Sequence, residues 1–363
     1  MKIAIDATAL LIRSAGIKSV LYHWLHALQA LAGAENVVAY PPMPEVGGLN
    51  HEGSVAPRWH TLRGIAMTVA NQRLGVPFPQ WCTRGADVFH ASNQVRTPPR
   101  GMKLTATVFD MTCWKMPELH TAANVIADKR FTEMVLRRAD GLIAISEHSR
   151  RDALEVLGLA PERIVAIPIG VSEEYFDAAP LRQAKPYVLS VGTIEPRKNI
   201  DRLLDAWAAL RPELREAYDL IVAGPEGWAS EPTIARLQSL PESVRWLGYV
   251  AEADLPSLTA GATVLAYPSL YEGFGLPLAQ AMAAGVACLT SNVSSMPEVA
   301  GEGARLVDPL SVSEISAALT GLLESPEERA RRGCKGRERA SALYRWPLVA
   351  EQSLEFFRRV IGS

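Results

Sequence analysis

The stretch SLYEGFGLPLAQAMAAGV, at 269 to 286, brings a carboxylate, two glycines and a helix start together within a few residues. Gly273 and Gly275 lack a Cβ, so the backbone there can approach a ligand closely. Pro277 suits the first turn of a helix, where its missing N–H is not needed. Unpaired N–H groups and the positive end of a helix form an anion site, and phosphate is its usual guest. The pattern predicts a phosphate-binding loop, with a ligand-free glycine-rich turn as the alternative.

A second candidate anion loop, VGTIEPRKNI, follows a predicted strand at 187–192. Its Arg197 and Lys198 come just before a predicted helix at 199–210. Two adjacent cations beside free N–H groups suit a diphosphate better than a single carboxylate. A solvated Arg-Lys pair would also fit this loop alone. Two such loops at strand ends in one domain favour a nucleoside diphosphate.

The letters GFGLPL also resemble a truncated dinucleotide fingerprint, G-x-G-x-x-G. Leu278 stands where the third glycine belongs, and the next strand ends in TSN, with no acid to hold a ribose diol. A nicotinamide cofactor is therefore disfavoured.

The elements that must position these loops alternate along the chain. Strands are predicted at KIAIDAT, NVVAYP, ADVFHAS, LTATVFD, GLIAIS and RIVAIPIG, then at YVLSVG, DLIVAG, VRWLGYV, ATVLAYPS and VACLTS. Helices are predicted at 16–32, 122–139, 147–157, 199–210, 231–240, 252–260 and 276–284, with a helical tail from 311. This alternation is typical of an α/β fold whose parallel sheets are covered by helices.

A chain of 363 residues is natural for two domains. We predict two doubly wound, Rossmann-like domains that face each other across a cleft. The first spans 1–178 and the second 179–344, and a helix at 345–363 packs back on the first. Ligands of such sheets bind at the carboxyl ends of the strands, where both anion loops lie.

Composition narrows the possible partners and compartments. A net charge of −2 argues against a nucleic-acid partner. The four cysteines form no Cys-x-x-Cys pair, which disfavours a zinc site and a disulfide framework and favours a reducing cytosol. The opening MKIAIDATAL is interrupted by Asp6 and predicts a buried strand rather than a signal peptide. We expect a cytoplasmic protein that meets a membrane, if at all, from the surface.

Several segments together resemble the family-4 retaining glycosyltransferases of group 1, which have the GT-B fold. Between 187 and 309 the resemblance rests on VGTIEPRKNIDRLLDAW, LGYV, YPSLYEGFGLPLAQAMAAGV and TSNVSSMPEVAGEGARLVDP. It is looser in the first half, at IAIDATAL, AGIKSVLYHWLHAL, DVFHAS, VFDMTCWKMPELH and LRRADGLIAISEHSRRDALEVLGL. The resemblance implies that the second domain binds a nucleotide-sugar donor and the first binds the acceptor.

The resemblance also implies roles for individual residues. Glu272 matches the first glutamate of a Glu-x7-Glu motif and is expected to hydrogen-bond a donor sugar hydroxyl. Lys198, with Arg197 beside it, matches the basic clamp on the diphosphate. Together with Asp110 these are the predicted catalytic residues. The predicted donor-binding positions are Gly16, Gly192, Tyr249, Val250, Gly273, Phe274, Gly275, Leu276 and Gln280.

We expect neither a metal nor a further cofactor. The chain contains no Asp-x-Asp sequence that would clamp a divalent cation. Positioned cations and helix N-termini can stabilise the negative charge that develops on a departing phosphate.

Two positions depart from the family pattern. Gln280 replaces the second glutamate, which usually accepts hydrogen bonds from both ribose hydroxyls. An amide offers one acceptor and two donors, so the exchange weakens nucleotide binding by roughly 1 kcal/mol. Phe109 replaces a histidine that commonly precedes Asp110 near the donor sugar. His90 and His120 do not occupy that position and are interpreted as structural or acceptor-facing.

The sequence predicts a hexosyltransferase, with GDP-mannose as the first choice of donor and UDP-hexoses next. IDATAL and TIEPRKN resemble mannosyltransferases of bacterial polysaccharide assembly. The implied acceptor is a glycan or a polyprenyl-linked glycan at the inner face of the cytoplasmic membrane. The arginines that could contact anionic lipid there are Arg137, Arg138, Arg150 and Arg151. The alternative is a nucleotide-sugar-binding scaffold that has lost transfer; a GT-B epimerase lacks supporting motifs.

Overall fold

The computed structural model describes residues 1–14, 16–43, 46–92 and 95–362. They divide into two compact units, each built on its own parallel sheet. The first unit comprises Met1–Gly170 and continues from Trp346 onward, and the second is Val171–Arg345. The sequence places this boundary after residue 178.

The sheet of the first unit has six parallel strands in the described residues, in the order β2-β1-β3-β4-β5-β6. Most of its strand residues are buried, as expected for a sheet with helices on both faces. The strands are β1 (Ile3–Asp6), β2 (Val37–Tyr40), β3 (Val88–Ala91), β4 (Lys103–Val108), β5 (Gly141–Ala144) and β6 (Ile164–Ala166).

Helices flank this sheet, and the last helix of the chain packs against the first. Trp24 Nε1 donates a hydrogen bond of 3.0 Å to Ser353 Oγ and so joins these two helices. The helices are α1 (Gly16–Ala32), α2 (Arg58–Leu74), α3 (Phe78–Cys82), α4 (Thr112–Lys115), α5 (Ala122–Met134), α6 (Glu147–Leu157) and, after the second unit, α16 (Trp346–Gly362).

The second unit has a parallel sheet in the order β12-β11-β10-β7-β8-β9. Its strands are β7 (Tyr187–Val191), β8 (Asp219–Ala223), β9 (Val244–Trp246), β10 (Val264–Tyr267), β11 (Cys288–Ser291) and β12 (Ala304–Val307). Its helices are α7 (Glu173–Phe176), α8 (Ile200–Ala208), α9 (Pro212–Ala217), α10 (Glu231–Ser239), α11 (Leu255–Ala260), α12 (Leu276–Ala283), α13 (Met296–Ala300), α14 (Val312–Glu324) and α15 (Pro326–Leu343).

Helix α8 shows how the sequence pattern produces this packing. Ile200, Leu203, Leu204 and Trp207 recur at helical spacing and are all buried. They join the apolar core formed by strand residues such as Val188. The apolar stripe fixes the helix on the sheet and so fixes the loop that precedes it.

The predicted alternation and the parallel sheets are confirmed. In the first unit the short helices α3 and α4 were not predicted, and two longer helical segments also differ from the prediction. The predicted helix at 122–139 ends at Met134 and is followed by a 3-10 turn at Leu136–Arg138. Helix α2 was not predicted, because its apolar residues do not form an inward stripe. Within the described ranges, no helix is both long and apolar enough to cross a bilayer.

Candidate active site

The two predicted anion loops meet because of the strand order of the second sheet. Strands β7 and β10 are neighbours, with Val188 opposite Val264 and Leu189 opposite Leu265. The chain runs from β7 to β8 on one side and from β10 to β11 on the other, so this pair is the switch point of the sheet. Loops diverge from such a point and leave a crevice at the carboxyl ends of the strands.

Three predicted catalytic residues are in contact at this crevice. Arg197 Nη1 lies 2.6 Å from Glu272 Oε2, and Lys198 Nζ lies 2.6 Å from Glu272 Oε1. Arg197 Nη1 also donates to the carbonyl oxygen of Tyr271 at 2.9 Å. Loops that are about 70 residues apart along the chain therefore form one charged cluster.

Two further side chains complete the cluster, and the sequence did not identify them. Tyr267 lies at the end of β10, and its hydroxyl donates to Glu272 Oε1 at 2.7 Å and accepts from Lys198 Nζ at 2.7 Å. Glu195 Oε1 lies 2.6 Å from Arg197 Nη2. We call Glu195, Arg197, Lys198, Tyr267 and Glu272 the charged cluster. Glu195 belongs to the motif TIEPRKN, and its place just before two cations was the available signal.

Burial makes the electrostatics of the charged cluster strong. Burial alone would raise the pKa of Glu272, but Arg197 and Lys198 outweigh it and lower that pKa to about 2. Burial and the neighbouring Arg197 lower the pKa of Lys198, against the opposing effect of Glu272 and Glu195. Burial also raises the pKa of Glu195. The charges of two cations and two carboxylates thus cancel in a site that is largely buried. Such pairing is required because an unpaired buried charge is strongly destabilising.

Backbone and hydroxyl contacts hold Glu272 in place. Its N–H donates to Ser294 Oγ at 3.1 Å, and its carbonyl oxygen accepts from Ser295 Oγ at 2.9 Å. Both serines lie in the loop after β11. The sequence did not assign a role to either of them. The carboxylate is therefore positioned by three strand-end loops, after β7, β10 and β11.

The glycine loop leads directly from Glu272 into α12. Gly275 is the N-cap of α12 and has φ +93°, in the left-handed region that favours glycine. A Cβ at Gly275 would collide with Met296. Phe274 is buried and its ring packs edge-on against Tyr344, with centroids 5.3 Å apart. The N-terminus of α12 thus begins beside the charged cluster, and its N–H groups add positive potential there.

Leu276 and Gln280 lie on the less buried side of α12. Both are partly exposed, whereas Leu278, Ala279 and Ala281 are buried. Gln280 is about one helical turn from the helix start. This placement is compatible with a contact between its amide and a ligand bound at the helix start.

The remaining donor-binding candidates of this unit lie in other loops. Gly192 follows β7, and a Cβ there would lie 3.3 Å from Lys198 Cε. Its N–H donates to the carbonyl oxygen of Ala223 at 2.9 Å, which joins the loops after β7 and β8. Tyr249 and Val250 follow β9, and the Tyr249 side chain is 40% exposed. Neither of these two residues belongs to the charged cluster.

In the first unit, Gly16 and Asp110 lie near the starts of two different helices, α1 and α4. Gly16 is the first residue of α1, and a Cβ there would have nothing within 4 Å. Asp110 Oδ1 accepts a hydrogen bond of 2.9 Å from the Thr112 N–H, at the start of α4. Phe109 lines a mostly apolar pocket with Ile17, Trp24 and Trp346.

His90 is a structural residue of the first unit. It is 2% exposed, and its ring nitrogens lie 3.0 Å from Thr105 Oγ1 and 2.8 Å from Thr107 Oγ1. Burial lowers the pKa of His90 to about 3, so its ring is neutral at physiological pH.

Comparison with known proteins assigns the chain to a family. The family described as Glycosyl transferases group 1 matches residues 171–339. O-antigen chain mannosyltransferase B of Escherichia coli is 31% identical over 283 residues, which are 75% of this chain and 74% of that protein. An MMP alpha-(1->4)-mannosyltransferase of Mycolicibacterium hassiacum is 34% identical over 238 residues, 64% of this chain and 58% of that protein. The chain thus spans less than two thirds of this second relative.

A solved structure shows the same fold over the whole chain. A sucrose-phosphate synthase from Thermosynechococcus elongatus superposes with a TM-score of 0.74 at 21% identity, covering 100% of this chain and 99% of that one. The predicted GT-B fold is confirmed. The chain belongs to the group 1 glycosyltransferases and is a glycosyltransferase enzyme.

Proposed function

We propose that this enzyme transfers a hexose, with retention of configuration, from a nucleoside-diphosphate sugar to a glycan or polyprenyl-linked glycan in bacterial polysaccharide biosynthesis. Mannose from GDP-mannose is the first choice of donor. The names of two relatives support that choice, since both are mannosyltransferases and one acts on the O-antigen chain. We place the enzyme in the cytoplasm, in peripheral contact with the inner face of the cytoplasmic membrane.

The observation that carries this proposal is the charged cluster beside the N-terminus of α12. Glycosyl transfer breaks the bond between the sugar and the diphosphate, and negative charge develops on the departing phosphate. Arg197 and Lys198 are already fixed at this place by Glu195 and Glu272. Preorganised cations stabilise developing charge because they need not reorient during the reaction. We propose that they do so without a divalent metal.

Glu272 has two roles in this proposal. A carboxylate offers about four acceptor positions. Lys198 and Tyr267 donate to Oε1, and Arg197 donates to Oε2. A second acceptor position on Oε2 is available for a donor sugar hydroxyl. Glu272 would thus hold the clamp in place and orient the sugar.

We propose retention of configuration because of the resemblance to family 4. In that family a histidine near the donor sugar commonly occupies the position of Phe109, so the contacts that orient the sugar here must come from other residues. Phe109 has no proton to donate and cannot hydrogen-bond the sugar as a histidine would. We propose that Glu272 and the charged cluster alone orient the donor. NMR of the purified product at the anomeric centre of the transferred sugar gives the configuration of the new glycosidic bond, and an inverted configuration would contradict retention.

A donor panel tests the function as a whole. Purified enzyme is incubated with GDP-mannose, GDP-glucose, UDP-glucose or UDP-galactose and a polyprenyl-linked glycan, and release of each nucleoside diphosphate is followed. We expect acceptor-dependent release from GDP-mannose. Release from no donor, with the diphosphates still bound, would favour the scaffold alternative, which the family assignment disfavours.

A further inference from the structure

Helix α2 turns apolar side chains toward solvent. Trp59 is 73% exposed, Leu62 is 62% exposed and Val69 is 43% exposed. Together with Ile65 they recur at helical spacing along one side, which we call the outward face of α2. Helices of soluble domains normally place their apolar side inward. A contiguous exposed apolar surface marks an interaction site.

The packed side of α2 explains why the helix is held in this orientation. Gly64 is buried, and a Cβ there would collide with Leu11 and approach Pro41 Cγ to 3.3 Å. Asn71 is also buried, and its side-chain amide donates to the carbonyl oxygens of Val76 and Thr97 at 3.1 and 3.0 Å. Gly64 and Asn71 therefore pack against segments that flank the strands, and Met67 between them is buried in the apolar core. Rotating the helix about its axis would separate Gly64 from Leu11 and Pro41 and would break both hydrogen bonds donated by the Asn71 side chain.

The same segment carries only positive charge. Residues 53–86 contain four arginines and no aspartate or glutamate. Those arginines are all exposed: Arg58, Arg63, Arg73 and Arg84. Across the described ranges, no carboxylate lies within 4.0 Å of these four guanidinium groups. The flanking acids are engaged elsewhere, since Glu52 pairs with Arg13 and Asp87 accepts from the Lys2 N–H.

The apolar surface continues past the end of α2. Leu74 is 78% exposed, and Trp81 in α3 is 60% exposed. The Phe78 ring packs edge-on against Trp81, with centroids 5.4 Å apart. Tryptophan side chains concentrate at the boundary between lipid headgroups and acyl chains.

We propose that the outward face of α2, with Leu74 and Trp81, binds the surface of a bilayer that contains anionic phospholipid. An interfacial helix buries an apolar face among the headgroups while its basic residues contact lipid phosphates. The inference deepens the proposed use of a lipid-linked acceptor and rests on it. It names the surface by which the enzyme would reach that acceptor.

Two of the four arginines that the sequence suggested for lipid contact are hydrogen-bonded within the protein, whereas Arg138 and Arg151 are exposed. Arg137 donates to Glu133 Oε1 at 2.9 Å and to the carbonyl oxygen of Leu157 at 2.6 Å. Arg150 donates to Glu147 Oε1 and to the carbonyl oxygen of Ile164, both at 2.9 Å. These two guanidinium groups already have protein partners. The arginines of residues 58–84 stand instead beside exposed tryptophan and leucine.

A matched pair of leucine variants tests the apolar contribution. Leu62 and Leu310 are each 62% exposed, and Leu310 lies in the second unit. Leu62→Ser should reduce binding of the enzyme to vesicles of phosphatidylcholine and phosphatidylglycerol about tenfold, measured by flotation. Leu310→Ser should leave that binding unchanged. Equal behaviour of the two variants would overturn the proposal.

A matched pair of arginine variants tests the charge. Arg73→Gln should weaken vesicle binding about fivefold, and higher salt should shrink this difference. The exposed Arg182 of the second unit serves as control, and Arg182→Gln should bind as wild type does. Wild-type enzyme should bind pure phosphatidylcholine more weakly than the anionic mixture. Equal binding to both vesicles would overturn the role of the arginines.

Two further measurements test whether a second copy of the chain covers this face and whether the donor site is intact. Sedimentation of the wild type and of Leu62→Ser reports the oligomeric state; a dimer that dissociates in the variant would overturn the bilayer proposal. Calorimetry with GDP reports the donor site of the same preparations. If the wild-type enzyme binds GDP but does not bind the anionic vesicles, the proposal for the membrane face fails while the proposed function stands. If the wild-type enzyme binds the vesicles but not GDP, the proposed function fails while the membrane face stands.

Discussion

The two sheets each bury a carboxylate at a switch point, and they treat it differently. In the first sheet β1 lies between β2 and β3, and Asp6 at its end accepts from the hydroxyls of Thr8 and Ser92 at 2.7 and 2.6 Å. In the second sheet, Glu272 accepts from Arg197 and Lys198. Neutral hydroxyls satisfy Asp6 and tie loops together, whereas the cations at Glu272 can also attract an anion. Strand order selects the position, and the charge of the donors decides whether the position is structural or suited to a ligand.

The largest effect should come from removing a cation of the second switch point. Lys198→Ala should reduce transfer by roughly a hundredfold or more, because one preorganised donor to the departing phosphate is lost. It should weaken binding of GDP far more than binding of guanosine, as measured by calorimetry. Lys185→Ala, at an exposed lysine of the same unit, is the control and should change neither. Equal losses for GDP and guanosine would remove Lys198 from the phosphate site.

Glu272→Gln should change the response of the second unit to acid. The pKa of Glu272 is lowered from 4.5 to about 2. Its stabilising contribution, about 3 kcal/mol, is therefore fully present above pH 4.5 and is lost as the pH falls through 2. The variant should have a lower melting temperature at pH 7, and melting curves between pH 5 and pH 2 should show less loss than in wild type.

The same variant separates stability from donor handling. An amide in place of the Glu272 carboxylate leaves the charged cluster with one net positive charge, so GDP should bind at least as tightly as in wild type while transfer falls. Full transfer activity in Glu272→Gln would show that the carboxylate does not orient the sugar.

Asp6→Ala should affect folding and leave the donor site unchanged. It removes the acceptor of two hydroxyls and of the backbone N–H groups of Thr8, Ser92 and Val95, so we expect a loss of at least about 2 kcal/mol in the stability of the first unit. Burial raises the pKa of Asp6, against the lowering effect of its hydrogen bonds with Ser92 and Thr8. Its contribution should accordingly be complete below pH 3.8 and decline as the pH rises through the folded pKa, opposite to Glu272. Denaturant titration measures the loss of stability. A change in GDP affinity would show that Asp6 is not purely structural and so would contradict the contrast with Glu272.

The smallest effect should come from Gln280→Glu. A carboxylate accepts from both ribose hydroxyls, so GDP binding should tighten by roughly 1 kcal/mol at most. The 2′,3′-dideoxy form of GDP has no diol and should bind both proteins alike. If both ligands respond equally, Gln280 does not contact the ribose.

Regular apolar patterns made much of the fold predictable. The inward stripe of α8 and the apolar strands predicted the right elements and the α/β class, because the apolar residues that recur at regular spacing there are also the buried ones. Helix α2 reverses this relation. It packs through Gly64, Met67 and Asn71 and exposes Trp59 and Leu62, so only one large apolar side chain of this helix points inward. The reversal becomes visible only when the neighbours of Gly64 and Asn71 are known.

The candidate site was predictable where it followed a motif, and otherwise required the sheet order. The pattern of their loop indicates Arg197 and Lys198, and the family resemblance implies Glu272, but the direct pairing of the three depends on β7 and β10 being neighbours. Tyr267 has no motif of its own, since a tyrosine at a strand end usually fills a core. Its hydroxyl joins the cluster because the strand places it between Lys198 and Glu272.

The division of the first unit into two chain segments determines when this unit can be completed during synthesis. The second unit is contiguous in sequence, from Val171 to Arg345, whereas the first unit requires α16 from the end of the chain. During synthesis the ribosome releases every residue of the second unit before it releases Ser353, the partner of Trp24. The side of α1 that binds α16 therefore stays uncovered until the whole second unit has been synthesised.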